Sequence, residues 1–230
     1  MRSVIIAVLC VFVIAGVAYA EDQLPLKTQE EKISYIIGTD IGNNFKKQGI
    51  DIDPDILIKG LKDSLGGNKL LLNEKEISDI MTAFKQEFMT KQAVASSLQS
   101  EKNKKEGEAF LTENKKKEGI KTLPSGLQYK VITEGTGRSP KATDTVTVNY
   151  RGTLIDGTEF DSSYKRGQAA SFPVNGVISG WVEALQLMKE GAKWQLFIPS
   201  NLAYGEKGAG SGPIGPNATL VFEVELISIK

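Results

Sequence analysis

The 230-residue sequence contains no histidine. A Ser-His-Asp hydrolase, a His-ligated zinc enzyme and an imidazole general base are therefore excluded. Cysteine occurs once, at Cys10, which leaves no intrachain disulfide, thiolate cluster or Cys-x-x-Cys redox site. There is no charge surplus either. The 28 Lys and Arg balance 28 Asp and Glu, against the basic excess of a dedicated nucleic-acid binder. No Gly-Lys-Ser/Thr phosphate loop is present. Any chemistry carried out here works without imidazole or thiol. The remaining composition, 40% apolar and 24% charged, is an ordinary globular balance.

Residues 4–18 form an uncharged run, preceded by Arg2 and followed by Ala18-Tyr19-Ala20 and then Glu21-Asp22. A short positive start, an apolar stretch and a small-x-small site read as a secretory signal over residues 1–20, cut after Ala20. The run falls short of the roughly 20 residues that a membrane span needs, which disfavours the alternative of an uncleaved anchor. Cleavage would remove Arg2 and Cys10, and the expected location is the periplasm, with the outer membrane or cell surface as alternatives.

The rest divides into a helical half and a strand-rich half. Thr28-x-x-Glu31 is a capping box, and Ile33, Ile37, Ile41 and Phe45 repeat every four residues behind it. Asp53-Pro54 opens a second helix with Leu57, Ile58, Leu61 and Leu65 on one face. A third begins near Asn73 and meets no proline before Pro124. From Gln99 to Glu108 it has no large apolar side chain, so this stretch reads as a solvated strut, with a charged linker as the alternative, and Gly107 weakens the helix by about 1 kcal/mol. The two short helices carry more apolar stripe than so small a segment can bury alone, so residues 21–72 are expected to dimerise. Gly38-x-x-x-Gly42 would permit close helix approach, though the motif is weak outside membranes.

After Pro124 the period becomes two: Leu127, Tyr129, Val131; Val146, Val148, Tyr150; Trp194, Leu196, Ile198; Leu220, Phe222, Val224, Leu226. Alternation predicts strands with one buried face, Asp156-Gly157 predicts a hairpin turn, and only residues 181–189 read as helix. The expected class for residues 121–230 is α+β. The string Gly210-Ser211-Gly212-Pro213-Ile214-Gly215 matches G-x-G-x-x-G, but Pro213 and Pro216 interrupt and a strand follows instead of a helix, so it offers no phosphate site. The surrounding stretch 205–217 reads as a long exposed loop of the kind that carries function. The remaining constellation is aromatic: Tyr150, Phe160, Phe172, Trp181, Tyr204 and Phe222, with Asp161 beside Phe160. Taken singly, each aromatic is better explained by core packing, and Asp161 by an Asx turn or a surface charge.

Five ordered blocks resemble the FKBP-type peptidyl-prolyl isomerases: Val148-Asn149-Tyr150-Arg151-Gly152-Thr153-Leu154, Asp156-Gly157-Thr158-x-Phe160-Asp161-Ser162-Ser163, Val177-Ile178-x-Gly180-Trp181, Ala203-Tyr204-Gly205 and Ala218-Thr219-Leu220-Val221-Phe222. The chain as a whole resembles the Mip/FkpA group, in which a helical dimerisation domain and a long connecting helix precede the isomerase domain. That implies a dimerisation domain over 21–72, a connecting helix over 73–120 and, over 121–230, an antiparallel sheet half-wrapped around a short helix. It implies a pocket floored by Trp181 and walled by Tyr150, Phe160, Phe172, Val177, Ile178, Ile214 and Phe222. Tyr204 and the backbone N–H of Ile178 would hydrogen-bond the substrate, and Asp161 would be the polar group. One departure is Ala170, where family members often carry an aromatic, which would widen that edge.

The implied activity is rotation about X-Pro bonds, with Tyr150, Phe160, Asp161, Tyr204 and Phe222 as the catalytic set and no metal or cofactor. Implied partners are proline-containing exported proteins, tacrolimus- or rapamycin-type macrolides and a second copy of the chain, with no nucleic acid. A holdase using the helical cleft, with isomerisation incidental, and a non-catalytic binding module are the competing readings. The intact aromatic set argues against the last.

Overall fold

A computed structural model of the chain describes residues 26–210 and 212–230. The expected export signal lies outside the described residues. The chain divides into two units between Asn73 and Glu74, each described here by itself.

The first unit holds α1 (Gln29–Gln48) and α2 (Pro54–Leu65). Local chemistry sets both ends of α1. The Thr28 hydroxyl accepts from the Glu31 N–H at 3.2 Å, and the Glu31 carboxylate accepts from the Thr28 N–H at 2.9 Å. Gly49 closes the helix in the left-handed region at φ 63°, a conformation only glycine adopts without cost. Asp53 caps α2 by accepting from the N–H groups of Asp55 and Ile56. Neither helix buries a residue in the single chain. Ile33, Ile37, Ile41, Leu57, Ile58, Leu61 and Leu65 are all exposed.

The second unit opens with α3 (Glu74–Asn114), 41 residues long and about 60 Å from end to end. Its N-terminal half leaves Ile80, Met81, Phe84, Val94 and Leu98 exposed. From Ser100 onward, one stripe docks onto the sheet domain. Ser100 and Asn103 bond to Asn217 and Pro216. Gly107 is buried against Thr219. Phe110 packs on Phe197 with ring centroids 6.0 Å apart, and Asn114, 1% exposed, donates to Gln128 at 3.0 Å. The solvated-strut reading of this stretch is therefore corrected. The stripe 100-103-107-110-114 has helical spacing, but apart from Phe110 its residues are small or polar, so hydrophobic periodicity passes over it.

The sheet comprises β1 (Ile120–Thr122), β2 (Gln128–Thr133), β3 (Thr145–Leu154), β4 (Glu159–Ser162), β5 (Ala170–Pro173), β6 (Lys193–Ile198) and β7 (Leu220–Ile229). Pairing is antiparallel throughout, in the order β1-β2-β6-β7-β3-β4, and β5 pairs with the first half of β3. The β3–β4 hairpin turns at Asp156-Gly157, with Gly157 at φ 88° and the Asp156 carboxylate accepting from the Thr158 N–H at 2.9 Å.

Between β5 and β6 lies α4 (Ser179–Leu187). It starts two residues before the sequence expectation, because the Ile178 carbonyl already accepts from the N–H groups of Trp181 and Val182. Its buried face, Trp181, Ala184 and Leu185, joins Val146, Val148, Leu196, Ile198, Leu220, Val224 and Leu226 in one core. Each fully buried aliphatic side chain contributes about 1.5–3 kcal/mol. Gly180 allows the approach, since a Cβ there would lie 2.6 Å from Ile198 Cγ2. Elsewhere in this unit, Tyr129 on β2 stacks on Trp194 of β6 at 4.3 Å and 6°.

Candidate active site

Alternation on two central strands aims the key side chains. On β3, Val146, Val148, Tyr150 and Gly152 share the inner face, and on β7 Leu220, Phe222, Val224 and Leu226 do so. Gly152 is paired with Phe222 across β3 and β7 and with Asp161 across β3 and β4. A Cβ on Gly152 would lie 2.6 Å from the Phe160 ring and 2.7 Å from the Phe222 ring. The missing side chain is what lets those two rings meet edge to face, 5.4 Å apart at 82°. Trp181, in the first turn of α4, meets Phe222 at 5.2 Å and Tyr150 at 5.3 Å, both near perpendicular, and Phe172 at 6.1 Å. These edge-to-face contacts lock the rings into one rigid cage.

The cage opens onto a cavity of about 630 Å³. All ten residues singled out from the sequence line it: Tyr150, Phe160, Asp161, Phe172, Val177, Ile178, Trp181, Tyr204, Ile214 and Phe222. Gly176, Ala209, Gly212 and Pro213 line it as well. Val177 and Ile178 come from the link between a 3-10 turn at Val174–Gly176 and α4. Tyr204 and Ile214 come from the two arms of the loop before β7. Ala170 packs against the core on β5 and is not part of the lining.

The polar edge contains a residue that sequence reading missed. Arg166 pairs with Asp161 and donates to the Tyr150 hydroxyl at 2.7 Å. The Tyr150 hydroxyl in turn donates to Asp161 at 2.5 Å. Asp161 also accepts from the Ser162 N–H at 2.8 Å. Burial pushes the Asp161 carboxyl up, but the Tyr150 hydroxyl and Arg166 outweigh it, and the group lies below the ordinary aspartate range. Burial, and then the bond to Asp161, pushes the Tyr150 phenol up. Asp161 is thus an ionised acceptor and Tyr150 a neutral donor across physiological pH. Arg166 follows Asp161 by five residues on a loop that turns at Gly167, and no periodicity marks that spacing. Ser163 supports the arrangement from behind, its hydroxyl accepting from the Tyr150 N–H at 2.8 Å.

The site is a largely apolar, aromatic chamber with one charge-balanced polar edge. Such a chamber suits a largely apolar ligand oriented by a few polar groups. Residues 136–227 match the family model described as FKBP-type peptidyl-prolyl cis-trans isomerase, and residues 30–131 match that of the domain amino terminal to it. The protein similar to this chain named outer membrane protein MIP, from Legionella longbeachae, is 53% identical over 92% of this chain and 90% of its own length. The chain belongs to the FKBP-type peptidyl-prolyl cis-trans isomerases. It is an isomerase of the Mip/FkpA type. The peptidyl-prolyl cis-trans isomerase Mip of Coxiella burnetii is 46% identical over 100% of this chain and 99% of its own. The crystal structure of FkpA from Escherichia coli is 40% identical and superposes with a TM-score of 0.67, covering 89% of this chain and 98% of that one.

Proposed function

We propose that the aromatic cavity is the isomerase site, and that the protein is exported and acts as a homodimer on X-Pro bonds of proteins folding in the cell envelope. The observation that carries the first part is the convergence of Tyr150, Phe160, Phe172, Trp181 and Phe222 on one cavity. The barrier to rotation is lost amide resonance, about 18–20 kcal/mol. The planar amide is more dipolar than the twisted one. A chamber that strips water from the amide therefore favours the twisted form, and each 1.4 kcal/mol of such preference gives about tenfold in rate. Trp181 supports the proline ring, and the Ile178 N–H and Tyr204 hydroxyl bind the substrate backbone. Asp161, neutralised by Arg166, fixes the Tyr150 edge without placing a bare charge against the amide. Macrolides that present a proline-like ring fit the same chamber.

Assembly as a homodimer is supported by the apolar residues that α1 and α2 leave exposed, more than a small unit leaves to water. Export is supported by the signal pattern at residues 1–20 and by a relative named as an outer membrane protein. The exposed stripe equally favours a holdase role.

One experiment on the full chain separates the readings. Phe222→Ala should abolish acceleration of X-Pro tetrapeptides and macrolide binding while the sedimentation coefficient stays dimeric. Ile37→Glu should leave tetrapeptide turnover intact but yield monomers with weaker assistance to refolding proteins, because a dimer offers two tethered sites at high effective concentration. Full tetrapeptide activity in folded Phe222→Ala would defeat the site assignment.

A further inference from the structure

We propose that α3 is a positioning element of the active site, with Ser100 and Asn103 holding the base of the loop 205–217 and, through it, one wall of the cavity. This rests on the reading of the cavity as the isomerase site.

The loop leaves the domain just after Tyr204 and returns just before β7, and its two ends meet at Asn217. There the Asn217 N–H donates to the Gly205 carbonyl at 2.8 Å. Asn217 adopts φ 54°, the one left-handed non-glycine backbone among the described residues, a conformation uncommon outside glycine. Its side chain holds the joint to the helix: Nδ2 donates to Ser100 Oγ at 2.8 Å, while Oδ1 accepts from Ser200 Oγ at 3.4 Å. One residue earlier, the Pro216 carbonyl accepts from Asn103 Nδ2 at 2.7 Å. Asn103 is itself aimed by Gln99, which donates to its Oδ1 at 2.7 Å.

Only a few bonds separate this joint from the cavity. Ile214 and Pro213 line the chamber three and four residues before Asn217, and Tyr204 lines it on the other arm. The Ala209 N–H donates to the Ile214 carbonyl at 2.9 Å, tying the arms together. The contact with the helix is narrow. An open cleft of about 310 Å³ flanks it on the side of Lys102, and one of about 330 Å³ on the side of Lys104. Ser100 and Asn103 carry hydrogen bonds between the helix and the loop base. Their hydrogen bonds favour one placement of Tyr204 and Ile214. Where the binding-competent placement is only partly populated, apparent affinity falls by that fraction.

The test uses the full chain and purified variants. Loss of one neutral hydrogen bond shifts a two-state loop by about 2- to 10-fold. Asn103→Ala should raise tetrapeptide KM and the Kd for a tacrolimus-type macrolide by about that factor, with kcat changed less than about twofold. Asn103→Asp keeps the size but loses the donor, and should behave like the alanine variant. Lys105→Ala, on the exposed face, should change nothing. Hydrogen exchange at the Asn217 amide should speed up in Asn103→Ala. Unchanged KM and Kd in an active background overturns the proposal, as does unchanged protection at Asn217 whatever the activity. A loss confined to kcat, tracking a fall in folded protein, also overturns it. A wild-type chain that binds macrolide but does not isomerise peptides would instead defeat the reading of the cavity.

Discussion

Gly107→Ala decides whether α3 is a free strut or a docked one, because the two predict opposite signs. On an exposed helix the substitution stabilises by about 1 kcal/mol, since glycine is the weaker helix former by that amount. In the docked helix a Cβ at Gly107 lies 2.3 Å from Thr219 Oγ1 and 3.2 Å from Thr219 Cβ. Thr219 is 6% exposed and β-branched, so turning its side chain exchanges one substituent for another without moving its own Cβ. Overpacking of this kind costs about 1–3 kcal/mol, and prying the helix away loosens the bonds at Ser100 and Asn103, each worth about 1 kcal/mol. After the propensity gain is subtracted, a net loss of about 1–3 kcal/mol remains. For a unit of this size, that lowers Tm by about 2–4 °C per kcal/mol. Calorimetry of the full chain should show the fall, and Gly107→Ala/Thr219→Ala should recover most of it, giving a coupling of at least about 1 kcal/mol. A rise in Tm for the single variant would refute the docking argument outright.

Three further outcomes are expected. Between about pH 5 and 9, kcat/KM should be flat, because Asp161 is held below its ordinary value and Tyr150 above its own, and the chain has no histidine to titrate. For stability the sign follows from the depression of Asp161. Its contribution is present above the ordinary carboxylate range and is lost as pH falls through the lowered value, so acid unfolding scans of Asp161→Asn should lose part of the wild-type slope there. A bell-shaped rate profile centred near neutrality would contradict the assignment. Gly152→Ala should displace the Phe160 and Phe222 rings, costing about 1–3 kcal/mol of stability and lowering tetrapeptide kcat/KM by about tenfold or more. Near wild-type turnover in that variant would mean that the rings are free to yield.

The parts of the molecule that could be read in the sequence are those governed by one periodicity at a time. Period-two runs such as Val146-Val148-Tyr150 announce strands, and Thr28-x-x-Glu31 announces a helix start, because the signal lies within the segment. The aromatic constellation was recognisable through its ordered blocks, and the fold brings all ten singled-out residues to one cavity. What could not be read is contact made by residues with no hydrophobic signature. The docking stripe on α3 consists of serine, asparagine and glycine around a single phenylalanine, so it looks like a solvated face. Gly107 seemed a weakness in the helix and is instead a close approach. Arg166 sits on a loop whose path follows from no local pattern, and only the folded chain brings it to Asp161. Gly152 reads as an ordinary interruption of a strand until the two rings that would collide with its Cβ are known.

The chain contains two tryptophans, and the fold assigns them different surroundings. Trp181 lines the cavity, whereas Trp194 is covered by the stacked ring of Tyr129 on another strand. Near-ultraviolet excitation therefore carries two emitters, one that lines the cavity and one that does not. Occupancy of the chamber should alter the first and leave the second as an internal standard, so the protein supplies its own optical titration without a label. Trp194→Phe would isolate the reporting signal, and Trp181→Phe would remove it.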